Sequence, residues 1–157
     1  MTYLILKYLH VIGAAMLLGT GAGIAFFMLL GHLAAKPIIV AAIARIVVIA
    51  DFAFTATAVV AQPITGVALA WYTGWSLWEG WLALSILLYF VTGAFWLPVV
   101  WMQMRMRDLA AEAAASDQPL PPAYHTLFRW WFAFGFPAFG AVLAIFWLMI
   151  AKPSLPW

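Results

Sequence analysis

The chain has 157 residues, 68% of them hydrophobic and 8% charged, with a formal net charge of +2 and no cysteine. Ordinary soluble domains carry about 25% charged residues, and one this small could not hide so much apolar side chain from water. A basic stripe for nucleic acid, disulfides, thiolate metal sites, iron–sulfur ligation and cysteine nucleophiles are all excluded.

The apolar residues come in long runs, which predict an all-α integral membrane four-helix bundle with the lipid bilayer as its partner. Residues 1–157 form a single transmembrane domain in this reading, with no room for a separate soluble one. The first span is expected over 3–30, closed by Gly31, His32 and the Lys36-Pro37 break. Its apolar run is far longer than a signal-peptide core, so it is expected to be retained as a helix. The second span is expected over 43–72, with 38–42 as a lead-in. The third covers 80–103 and the fourth 128–150. Each exceeds the roughly 20 residues that a hydrocarbon core of about 30 Å requires. Residues 104–127 form the one sizeable polar connection. Its Ala-rich start, Asp108 to Ala115, extends the third helix into water, and Pro119-Leu120-Pro121-Pro122 stops it.

Sidedness follows from the basic residues. Lys36, Arg45, Arg105, Arg107 and Arg129 flank the first and third connections, while Lys7 and Lys152 lie toward the other surface. The positive-inside rule then puts the 104–127 connection in the cytoplasm and both the N-terminus and the C-terminus outside. Trp71, Tyr72, Trp75, Trp78 and Trp81, around the second connection, read as an aromatic belt at the outer interface.

Polar residues inside the spans fall on two faces. The second span carries Asp51, Thr55, Ala58, Gln62 and Thr65 at spacings of four and three, and the third carries Ser85, Tyr89, Thr92, Trp96 and Gln103. Polar side chains are costly in lipid, so these faces are expected to meet inside the bundle. Thr, Ser and Gln need no chemistry there. Asp51 has two readings, a structural tie to another helix (Gln103 or Arg129 being candidates) or a proton relay. Met102, Met104 and Met106 alternate along a helix and do not converge, which favours packing over copper.

Three histidines stand at span boundaries: His10 toward the outer end of the first helix, His32 at its inner end, and His125 at the entry to the fourth. His10 and His32 share a face but lie about 33 Å apart. That face also carries Ala14, Gly21 and Ala25, with Gly19 and Gly23 beside it. Two accounts compete. The glycines are a helix-packing seam and the histidines interfacial, or the histidines are haem-iron ligands with glycines clearing space for a porphyrin. In the second account Arg129 meets a propionate, Met149 is a candidate second ligand to His10 iron, and Phe132, Phe136 and Phe139 line the flat ring.

Lys7-Tyr8-Leu9-His10, the Gly-rich stretch and His32 resemble the opening helix of the HemJ-type protoporphyrinogen oxidases and of CopD-like membrane proteins. That resemblance implies a b-type haem with His10 as ligand. The whole chain resembles a bacterial family of predicted four-helix integral membrane proteins. The stretches concerned are Leu6 to His10, Ala50-Asp51-Phe52, Gln62 to Gly66, Trp96 to Trp101 and Tyr124 to Arg129. This second likeness implies the fold and a bacterial inner membrane, but no activity. The expected function is haem b binding with a redox role, electrons passing to or from a membrane-soluble or porphyrin-like partner. The alternatives are an accessory or assembly subunit, in a homo-oligomer or larger membrane complex, and a small proton- or metal-linked transporter using the Asp51–Gln62 face.

Overall fold

The computed structural model describes residues 1–155; Pro156 and Trp157, and with them the expectation for the extreme C-terminus, lie outside the described residues. Four helices long and apolar enough to cross a membrane follow one another: α1 Thr2–Ala34, α2 Pro37–Thr73, α3 Gly80–Ala115 and α4 Pro122–Ala151. There is no strand among the described residues.

The helices outrun the expected spans because the chain offers little to stop them. α1 continues to Ala34 and ends on Ala35 in the left-handed conformation, φ 55°. Lys36 is extended and Pro37 takes the first helical position of α2, where a missing N–H costs nothing. Pro122 opens α4 in the same way. α3 runs on through its alanines to Ala115, so the expected 104–127 connection shrinks to residues 116–121. At about 1.5 Å per residue α3 is roughly 54 Å long, well beyond a hydrocarbon core.

The two ends of the bundle are built differently. At the end carrying the arginines, Met28, Val40, Ala44, Met106, Tyr124 and Phe128 belong to one apolar core drawn from all four helices. Met102 and Met106 are buried in it, as packing residues. At the tryptophan end a smaller cluster of Ala70, Trp81, Leu82 and Leu148 joins α2, α3 and α4, with the Lys152 ammonium over the Trp75 and Trp81 rings. The part of α2 before Asp51 lies mainly against α3, and the part after Thr55 lies against α1.

Prolines stand inside α2, α3 and α4 at Pro63, Pro98 and Pro137. Each lacks the N–H that would bond the carbonyl four residues earlier. For Pro63 that carbonyl belongs to Val59, and the Tyr89 hydroxyl of α3 donates to it. A break in one helix thus becomes a tie to its neighbour.

The close helix approaches are not where the small-residue stripe suggested. A Cβ on Gly21, Gly19 or Gly23 would meet nothing within 4 Å. The tight positions are Gly13, where a Cβ would strike the Gln62 amide, and Gly66 and Gly31, where it would come to 3.2 Å from the His10 ring and from Ile43. All three lie on the α1–α2 contact, and they are what lets those backbones close.

Candidate functional site

Between the two end clusters the four helices stand apart around a cavity of about 910 Å³. Ligand pockets are commonly about 300–1,000 Å³, so this one can take a sizeable flat molecule. α1 contributes Ala14, Gly21, Ala22 and Ala25 to its wall. Gly93 of α3 and Gly135 and Gly140 of α4 add to the space, since a Cβ on any of them would meet nothing within 4 Å. Phe132, Phe136 and Phe139 line the α4 side, as expected for an aromatic wall. α1 and α4 make few close approaches. On the two sides of that interval Ala22, Ala25, Phe136 and Phe139 line the cavity and are exposed.

The polar faces of α2 and α3 do meet, and they meet here. Asp51, Thr55 and Gln62 of α2 and Tyr89, Thr92, Trp96 and Gln103 of α3 all line the cavity. Asp51 is 2% exposed and has no cationic partner among the described residues. Its carboxyl accepts instead from neutral donors: Trp96 Nε1 reaches Oδ1 at 3.3 Å. With the Gln103 amide oriented to satisfy both neighbours, Nε2 donates to Asp51 Oδ2 at 2.9 Å and Oε1 accepts from Trp131 Nε1 at 3.1 Å. One row of hydrogen bonds therefore links α4, α3 and α2 across the cavity's arginine-side end. Gln103 is the interhelical tie expected for Asp51; Arg129 is exposed on α4 and is not on the wall.

Asp51 begins a five-residue π-helical turn, Asp51–Thr55, closed by an Ala56 N–H bond to the Asp51 carbonyl. Such turns inside α-helices recur at functional sites. Sequence spacing gave no hint of it, because Asp51 and Thr55 also share a face at an α-helical spacing of four. Thr55 is buried in the wall with its hydroxyl unpartnered.

The histidines are placed elsewhere. His10 Nδ1 is 2.8 Å from Thr65 Oγ1, and Gln62 Nε2 donates to the His10 carbonyl at 2.8 Å. This binds α1 to α2 on the tryptophan side, and no hydrogen bond from His10 Nε2 is present among the described residues. His32 and His125 come together, with ring centroids 5.7 Å apart and nearly perpendicular, and His32 is stacked on Phe128 at 3.6 Å. Met149 packs against the cluster of Ala70, Trp81, Leu82 and Leu148 at the tryptophan end. No histidine lines the cavity, so its wall does not fit an axially ligated haem, although its size and aromatic lining suit a flat ring. Among the described residues no three of His, Cys, Asp or Glu cluster as a metal site.

Residues 4–153 match the model of a protein family described as "Predicted integral membrane protein (DUF2269)". No curated protein and no solved structure matches the chain.

Proposed function

The chain belongs to that family of multi-pass membrane proteins, and on that premise we propose that it binds a flat, largely apolar, lipid-borne ring molecule within the bilayer. The observation supporting this is the cavity of about 910 Å³, walled by glycine and phenylalanine and ending on a buried carboxyl network. A ligand of that kind partitions into lipid first and enters sideways between α1 and α4, so no route from water is needed. Its apolar body lies against Phe132, Phe136 and Phe139, and its polar edge meets Asp51 and Thr55. Burial of the ring supplies affinity, and the few polar groups fix its orientation.

Site-mapped photolabelling tests this. A photoactivatable planar aromatic probe should label residues 89–97 and 132–140 in the detergent-solubilised protein. Gly135→Leu should remove that labelling, because a Cβ there meets nothing within 4 Å and the rest of the side chain takes up cavity space. Labelling spread evenly over lipid-facing residues, and unchanged in the variant, would overturn the proposal.

A haem b held through His10 is a second reading. The Thr65 bond to Nδ1 favours it, since that bond fixes the ring and leaves Nε2 for a ligand, the usual arrangement behind a metal-bound imidazole. When bound, the haem would supply one-electron chemistry; the chain's own part would be to hold it. The purified protein should then show a Soret band with reducible α and β bands, and His10→Ala should remove it. A colourless preparation from haem-replete cells would end this reading.

A further inference from the structure

The polar groups around the cavity are unequally free. The indole N–H groups of Trp96 and Trp131 and the hydroxyls of Tyr89 and Thr92 each hold a single hydrogen. All four give it to a protein oxygen: Asp51 Oδ1, Gln103 Oε1, and the carbonyls of Val59 and Leu88. Gln62 and Gln103 each commit one amide hydrogen, to the His10 carbonyl and to Asp51 Oδ2. What remains on the donor side is the Thr55 hydroxyl and one hydrogen on each amide. The acceptor side keeps the spare lone pairs of both Asp51 oxygens, of the Tyr89 and Thr92 hydroxyls, and of Gln62 Oε1. Asp51 is also the only ionisable carboxyl on the wall among the described residues, 2% exposed and without a cation among them to occupy it.

With six of these nine donor hydrogens committed, the wall keeps more free acceptor positions than free donors and favours ligands that bring donors of their own. We propose that the cavity recognises an aromatic ring carrying hydroxyl donors, a hydroquinone-type molecule, in preference to the matching quinone, whose carbonyls can only accept. Asp51 receives one hydroxyl, with Thr55 beside it able to serve as donor or acceptor. An Asp51 oxygen facing the ring gains a bond from a hydroxyl, whereas a quinone carbonyl there sets acceptor against acceptor. This rests on the cavity being a ring-binding site.

The test compares a decyl-substituted benzoquinol, kept anaerobic, with its benzoquinone, using the full-length protein in detergent. Binding is read by quenching of tryptophan fluorescence and by ligand retained through gel filtration. The quinol is expected to bind at least about ten-fold more tightly, roughly what one added hydrogen bond to the carboxyl contributes. Asp51→Asn replaces an acceptor oxygen with a donor amide of the same size and should bring the ratio near one, with helicity unchanged. Equal binding of the two forms by the wild type, or tighter quinone binding, overturns the donor preference while leaving the ring-binding site in place. Absence of binding by both, together with absent wall photolabelling, removes the site itself. The wild-type ratio decides the matter even if the variant fails to fold.

Discussion

Gln103 holds two groups that would otherwise be stranded. Leucine at this position has similar bulk but would leave Trp131 Nε1 and one Asp51 oxygen without partners. Each such buried loss costs about 1–3 kcal/mol. Gln103→Leu should therefore lower stability by about 2 kcal/mol or more, seen as a clear fall in the melting temperature in detergent. Gln103→Glu keeps the acceptor for Trp131 but sets an acceptor against Asp51, and should also destabilise. The glycines offer a sharper contrast. Gly13→Ala drives a methyl group into the Gln62 amide and should break its bond to the His10 carbonyl, loosening α1 from α2. Gly21→Ala meets nothing and should raise helix stability by a few tenths to about 1 kcal/mol. Equal melting temperatures for the two variants would refute this assignment of the packing seam.

At the scale of the element, Pro63 and Tyr89 act as a pair. Proline frees the Val59 carbonyl, and the Tyr89 hydroxyl takes it. Tyr89→Phe should destabilise by about 1–3 kcal/mol, since a carbonyl buried away from water is left bare. In a Pro63→Ala background the helix can bond that carbonyl itself, so the same Tyr89→Phe change should cost much less. A double-mutant cycle with a coupling near zero would refute the pairing. The tyrosine also stands in the cavity wall, so loss of its tie should widen the gap between α2 and α3 and weaken ring binding.

For the molecule as a whole, the bias of arginines toward one end predicts that a cytoplasm-active reporter fused after Ser116 gives signal and one fused after Ser154 does not. The reverse pattern would invert the bundle in the membrane. Much of this architecture was legible beforehand. Apolar runs gave the helices, and the spacing of Asp51, Thr55 and Gln62 gave a polar face that does turn inward onto Tyr89, Trp96 and Gln103. That Asp51 needs a partner on another helix followed from the cost of a lone carboxyl in lipid, and of the two candidates, Gln103 and Arg129, the packing selects Gln103. Other features were hidden because they are relations between distant residues. That His32 meets His125 depends on how α1 and α4 cross, and no periodicity encodes it. Nor does composition distinguish Gly13, which admits a neighbouring backbone, from Gly21, which opens onto space. The cavity itself arises from what the packed ends leave between them.

The π turn at Asp51–Thr55 has a consequence for how α2 serves two neighbours. Its first half keeps phase with α3 and its second with α1. A π turn is one residue more than an α-helix needs, and it adds that residue while the flanking turns keep their orientation. Deleting Ala53, an exposed residue inside the turn, should let α2 close as ordinary helix with both halves still in phase. Deleting Ala61, equally exposed, would rotate everything beyond it by about 100° and carry Gln62 and Thr65 away from α1. The first deletion should leave a folded bundle with Asp51 and Thr55 three residues apart in ordinary helix, and the second should leave no bundle. The turn that carries the one deeply buried carboxyl among the described residues is thus the place where the scaffold has a residue to spare.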